Sequence, residues 1–234
     1  TEQSEMPPVA AVQLRDDRLA LHLSGPADLP APWEGSPDRL HWSCSNGAAV
    51  EELGPDYGWV EAPYPLLVTI GVDDRGDVDG GGDLWLLNCE ELGTIQVIGN
   101  AARASDFARH IAAQLAVNPW SQHASIDCIG IAEETQALGD RIRHHGVGRE
   151  GDLATSEVLA EATSMVDRAA SHDTDVSTGR TGRLDDDVWP AHMLLVTAEG
   201  ITEGGSLHEL RHLVAHHVGR TGTAIVTIMT TAAA

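Results

Sequence analysis

Apolar and polar residues alternate on both sides of Arg15-Asp16-Asp17-Arg18 in the segment from Val9 to Leu23. Period-two alternation around a charged turn predicts a β-hairpin with one buried face. Prolines at 26, 30, 32 and 37 interrupt the pattern, and residues 40–45 return as a short strand. Together with the polar tail at 1–8, residues 1–60 read as a small β-rich appendage.

From residue 61 the texture changes. Residues 65–73 form an apolar, β-branched run, a Gly/Asp-rich stretch follows at 73–83, and strand-like runs return at 84–88 and 94–99. Apolar positions at 107, 108, 111, 112 and 115 then fall on one helical face, and Asn118-Pro119 stops the helix expected from Ala101 to Val117. Residues 125–131 are apolar without alternation, as in a strand buried on both faces. Helices are expected at 135–145, 155–170 and 206–218, and strands at 192–198 and 223–229. Residues 172–187, poor in apolar side chains and rich in Asp, Gly, Ser and Thr, predict a mobile loop. The alternation predicts an α/β fold for 61–234: a mostly parallel sheet with helices on both faces.

Charge narrows the possible partners. The 234 residues carry 36 acidic and 14 basic side chains, a net charge of −22. Every basic residue is arginine; the chain has no lysine. Such a surface repels phosphate backbones and anionic lipid heads, so neither nucleic acid nor direct membrane contact is expected. No apolar run approaches the ~18–20 residues that span a bilayer. Cys44, Cys89 and Cys128 lack metal-ligand spacing, which fits a reduced, intracellular chain, and Cys128 lies in a strand-like run as a core residue.

The strand ending at Gly99 and the helix after it occupy the place of a phosphate-binding P-loop. Such a loop needs glycines that let backbone amides close on the phosphates, a lysine for the β and γ oxygens, and a hydroxyl for Mg²⁺. The chain offers Gly99-Asn100-Ala101-Ala102-Arg103-Ala104-Ser105-Asp106. Gly99 is in place, Ala104 stands at the second glycine, Ser105 at the lysine and Asp106 at the hydroxyl. Arg103 is the one cation that remains for a phosphate. The acid-bearing strand is equally poor: residues 194–200 place Ala198 where a metal-holding Asp would stand, with Glu199 one position late. Together these residues form a degenerate loop, with no cofactor expected.

Residues 66–131, with LWLLNCEELGTIQVIGNAARASDFARHIAAQLAVNPW at their centre, resemble the middle region of large actinobacterial membrane proteins. Those proteins carry LysM and bacterial transcriptional activator (BTAD) domains elsewhere in the chain. AVQLRDDRLALHLSGPADLPAPW, at residues 11–33, resembles the same family. More distantly, the strand pair before the P-loop position is similar to FtsK/SpoIIIE-type ATPase domains. The resemblance implies a P-loop-like domain, facing the cytoplasm, within a larger membrane-tethered protein. It carries over no site residues, and neither a LysM nor a BTAD segment is evident in these residues.

One motif competes with this reading. His208-Glu209-Leu210-Arg211-His212 is a literal HExxH, which on a helix places two imidazoles on one face to hold zinc, with Glu209 as base. His216 extends the same stripe. The alternative is a solvated face, with Leu207, Leu210, Leu213, Val214 and Val218 turned to the sheet and the histidines outward. Three functions follow: a non-catalytic interaction or regulatory module with a protein partner, a zinc-dependent hydrolase through His208, His212 and Glu209, or a nucleotide sensor that does not hydrolyse.

Overall fold

The computed structural model describes residues 5–48, 61–73, 82–182, 188–198 and 205–231. Two sheets organise them. The first is antiparallel, with β1 (Val9–Leu14), β2 (Arg18–Leu23), β3 (Glu34–Gly35), β4 (His41–Ser45), β5 (Leu67–Val72) and β6 (Leu84–Asn88), in the order β3-β4-β2-β1-β6-β5. The second consists of β7 (Thr94–Asn100), β8 (Ala124–Ile129), β9 (Ile142–His145), β10 (Ala191–Thr197) and β11 (Thr223–Thr231), in the order β7-β11-β10-β8-β9. Every neighbouring pair in the second sheet is parallel. The helices are α1 (Cys89–Leu92), α2 (Ala101–Val117), α3 (Arg149–Ser171), α4 (Val176–Gly182) and α5 (Ser206–His216).

The expected hairpin is β1 and β2, paired from Val9↔Leu23 to Leu14↔Leu19. The expected break at residue 60, however, cuts through a sheet. β5 and β6, read as the start of the α/β part, belong to the antiparallel sheet, where β6 pairs with β1 from Ala11↔Leu87 to Leu14↔Leu84. Periodicity marks a strand but does not name its partner, and here the partner lies some seventy residues upstream.

Helices cover both faces of the parallel sheet. On one face, α2 buries Ala104, Ala108, Ile111, Ala112 and Leu115 against Ile126, Cys128, Met193, Leu195, Val226 and Ile228. Leu66 and Val68 join the same core, so the antiparallel sheet packs against this helix too. Hydrogen bonds hold the contact: Thr69 N–H donates to Gln114 Oε1 at 2.8 Å, and Trp120 Nε1–H to the Leu67 carbonyl at 3.2 Å. On the opposite face, α3 and α5 pack Val158, Ala162, Leu207, Leu210 and Val214 on Ile129, Leu194, Val196 and Ile225. Each fully buried leucine or isoleucine contributes roughly 1.5–3 kcal/mol.

Two further expectations are corrected. The helix read at 135–145 is a 3₁₀ turn over Glu133–Leu138 followed by strand β9. Gly139, at φ 153°, ends the turn in a backbone geometry that favours glycine. The loop read at 172–187 contains α4, while 183–187 lie outside the described residues. Composition pointed to a loop because α4 is built on charge and close approach rather than apolar bulk. Gly179 sits where an added Cβ would lie 2.6 Å from the Trp189 ring, and Arg180 is 3% exposed. No helix among the described residues is long and apolar enough to cross a membrane.

Candidate functional site

In an open parallel sheet, ligands bind outside the carboxyl ends of the strands, where successive helices leave for opposite faces. Here α2 leaves β7 for one face and α5 precedes β11 on the other, so the carboxyl ends of β7, β11 and β10 mark that position. The loop that should occupy it is missing. β7 runs to Asn100 and α2 begins at Ala101, with no residue between them. Gly99 lies in the sheet ladder opposite Thr230. Asn100 caps the helix, its Oδ1 accepting from the Ala102 amide at 3.0 Å. A side-chain oxygen thus occupies a helix-terminal donor that an anion would use.

The other residues of the motif disperse along the first two turns of α2. Ala104 is buried against the sheet at 3% exposure. Arg103 is exposed, and Ser105 is half-buried. Asp106 is tied by a 2.7 Å ion pair to Arg109, which also reaches Glu134. At the other candidate strand, β10 ends at Thr197 and Ala198 is exposed; Glu199 lies outside the described residues.

This architecture matches solved structures. The conjugation coupling protein TcpA of pCW3, in its monomer form with ATPγS, aligns at a TM-score of 0.52 and 10% identity, over 97% of this chain and 72% of that one. EssC (ATPases 2 and 3) from Geobacillus thermodenitrificans aligns at 0.52 and 15% identity, over 76% of this chain and 35% of that one. The fold is α/β and P-loop-like. No family model and no curated protein sequence matches the chain. In this P-loop-like fold β7 passes straight into α2; the glycine-rich turn and its lysine are absent from the described junction.

The HExxH residues lie on α5, across the sheet from α2. Leu207, Leu210 and Val214 face the sheet, while His208, Glu209, His212 and His216 are exposed. The helix ends at His216, so Val218 falls outside it and is 57% exposed instead of facing the core. Arg211 turns inward to donate to Thr227 Oγ1. His212 and His216 stack at a ring-centroid distance of 4.0 Å, and His216 Nδ1 contacts the His212 carbonyl at 2.8 Å. The three histidines share a groove of about 450 Å³ with Leu159 of α3. Among the described residues, no group of three His, Cys, Asp or Glu side chains is placed to hold a metal. Within the Gly/Asp-rich stretch at 73–83, residues 74–81 lie outside the described residues.

Sequence reasoning missed a buried charge centre in the middle of the P-loop-like sheet. Asp127 on β8 is fully buried and accepts from Arg143 at 2.9 and 2.7 Å. It also meets His145 Nε2 at 2.6 Å and His192 Nε2 at 2.5 Å. His192 Nδ1 lies 3.2 Å from Glu161 on α3. Burial works to raise the Asp127 pKa, but the hydrogen bonds from His192, Arg143 and His145 outweigh it and hold the carboxyl well below the usual range. Burial likewise pushes His192 down, and its bonds to Asp127 and Glu161 carry it above its ordinary value. Cys128 points to the opposite face, in the α2 core, and burial pushes its thiol up to about 12. The centre therefore has acid and imidazole groups but no cysteine nucleophile, and it ties β9 and α3 to the sheet. Its one sequence signal was an aspartate inside the apolar run 125–131. The His144-His145 pair, read as a helix end, lies on the edge strand β9.

Proposed function

We propose that this chain is a non-catalytic interaction or regulatory module of a larger protein, built on a P-loop-like fold whose phosphate loop has been replaced by a direct strand-to-helix junction. The observation that carries the reading is the Asn100–Ala101 boundary: with no turn between β7 and α2, backbone amides have no cradle in which to close on a triphosphate. The lysine-free composition supports it, because no ammonium group is available for the β and γ phosphates. The likeness to a coupling protein solved with ATPγS and to tandem EssC ATPases supports membership of a multi-domain assembly, since the chain spans 35% of the EssC chain. The resemblance of residues 66–131 to the middle region of actinobacterial membrane proteins supports a membrane-tethered parent with this module on its cytoplasmic side.

The test is equilibrium binding of a fluorescent ATP analogue with Mg²⁺, together with a phosphate-release assay. The expected result is neither saturable binding up to millimolar nucleotide nor turnover. Saturable binding without turnover would make the chain a nucleotide sensor, and turnover abolished by Arg103→Ala would make it an enzyme; either would overturn the proposal.

A further inference from the structure

At the amino end of the parallel sheet, where it meets the antiparallel one, lies a cavity of about 130 Å³ whose lining includes Tyr64, Asn88, Glu90, Glu91, Asp175 and Gly219. Its volume is roughly that of four waters at ~30 Å³ each, room for a small head group and a short stem but not for a nucleotide.

The donors in its lining are spent within the chain, which leaves acceptors. Glu90 is already satisfied, held by Arg180 through two bonds of 2.7 Å. Among the described residues, no cation pairs with Glu91 or Asp175 in this way. Glu91 Oε1 accepts the Ser24 hydroxyl at 2.5 Å, and Asp175 Oδ1 accepts the Ser177 hydroxyl and the Thr178 amide at 2.7 Å each. The Tyr64 hydroxyl spends its proton on the Pro7 carbonyl at 2.6 Å. Asn88, 2% exposed, donates through Nδ2 to the Val9 carbonyl at 2.8 Å, while its Oδ1 is buried without a hydrogen-bond partner. A buried acceptor left unmatched costs free energy that a ligand's donor would recover. Burial lifts the Glu91 pKa above its usual range, and the neighbouring charges of Glu90 and Asp175, both negative, lift it further.

We propose that this cavity binds a primary alkylammonium group supplied from outside the chain, its N–H donors directed at the Glu91 and Asp175 carboxylates and at Asn88 Oδ1. A metal ion fits less well. It draws its ligands to about 2.0–2.6 Å, and among the described residues no three acidic, His or Cys side chains converge that closely. An ammonium group bonds at about 2.7–3.2 Å and carries three donors, matching acceptors set farther apart. These 234 residues contain no lysine, so the ammonium comes from a lysine side chain outside them or from a free polyamine.

Amide correlation spectra of the ¹⁵N-labelled chain, titrated with n-butylammonium chloride, test the proposal. The expected result is a saturable shift of the Asn88 side-chain amide and the Gly219 amide, weakened about tenfold or more in Glu91→Gln, which removes one charge-assisted bond. n-Butanol (same stem, no charge) and tetramethylammonium (same charge, no N–H) should produce no saturable shift at these positions; this arm needs no variant and stands even if Glu91→Gln fails to fold. N-acetyl-lysine methylamide binding as tightly as n-butylammonium points to a lysine donor, and spermidine binding more tightly than both points to a polyamine. The proposal is overturned if n-butylammonium gives no saturable shift, if n-butanol or tetramethylammonium reproduces it, if folded Glu91→Gln titrates unchanged, or if calcium alone moves these signals.

Discussion

The two ends of the parallel sheet differ in opposite ways. The carboxyl end has the place of a P-loop but no glycine-rich turn at the described junction: β7 passes directly into α2, Asn100 caps the helix with its own side chain, and Arg103 is exposed. The amino end concentrates the chemistry at a place the fold does not single out: Glu90 and Arg180 paired in the interior and, among the described residues, Glu91 and Asp175 without a cation and Asn88 Oδ1 without a donor. A position in a fold confers nothing by itself; donors, acceptors and charges at the right distances do.

The largest test of this contrast strikes the amino end. Arg180→Met keeps much of the side-chain volume but strands Glu90 at 7% exposure, which should cost about 3–5 kcal/mol in urea unfolding. Adding Glu90→Gln should recover part of that loss. A double variant no more stable than the single would show that the stranded carboxylate is not the cause.

Next comes the charge centre midway between the ends. Asp127→Asn leaves His192 and Arg143 without their buried carboxylate and should cost about 2 kcal/mol or more. It should also change the pH profile. The folded pKa of His192 is raised above 6.5, so its contribution is complete below pH 6.5 and is lost as pH rises through the folded value. The folded pKa of Asp127 is lowered below 3.8, so its contribution is present above pH 3.8 and is lost as pH falls through the folded value. Unfolding measured from pH 6 to 9 should show stability declining in the parent chain, with the slope flattened in Asp127→Asn. Parallel slopes would detach His192 from Asp127.

A smaller effect, opposite in sign, is expected at Glu91. Its folded pKa is raised, so ionising it opposes folding above pH 4.5, and Glu91→Gln should stabilise the fold at neutral pH. The gain should be about 2 °C in Tm or less for a chain of this size and should vanish near pH 4, where both states hold the proton. Destabilisation at pH 7 would mean that the Ser24 bond matters more than the cost of the buried charge.

The smallest expected effect is at the carboxyl end. Ser105→Lys restores the missing ammonium but not the missing turn, so millimolar Mg-ATP should move its Tm by less than about 1 °C. A shift of several degrees would collapse the contrast, because one side chain would then separate this end from a working site.

Much of this protein was legible in its residues. The hairpin about Arg15–Arg18, the helix from Ala101 to Val117 with its stop at Asn118-Pro119, and the unalternating strands at β8, β10 and β11 follow from periodicity, which a chain displays locally. Composition shows the lack of lysine, and residue identities show the mismatched side chains after Gly99. Tertiary structure alone decided that β5 and β6 join β1, that residues 142–145 form an edge strand beside Asp127, and that Val176–Gly182 fold as a helix around Arg180. It also gathered Asn88, Glu91 and Asp175 around one cavity and Asp127 with His192 across sixty-five residues. Local patterning reports which face of a segment avoids water. It does not report which distant charge, amide or strand edge will meet that segment, because those partners are chosen by the packing of the whole chain.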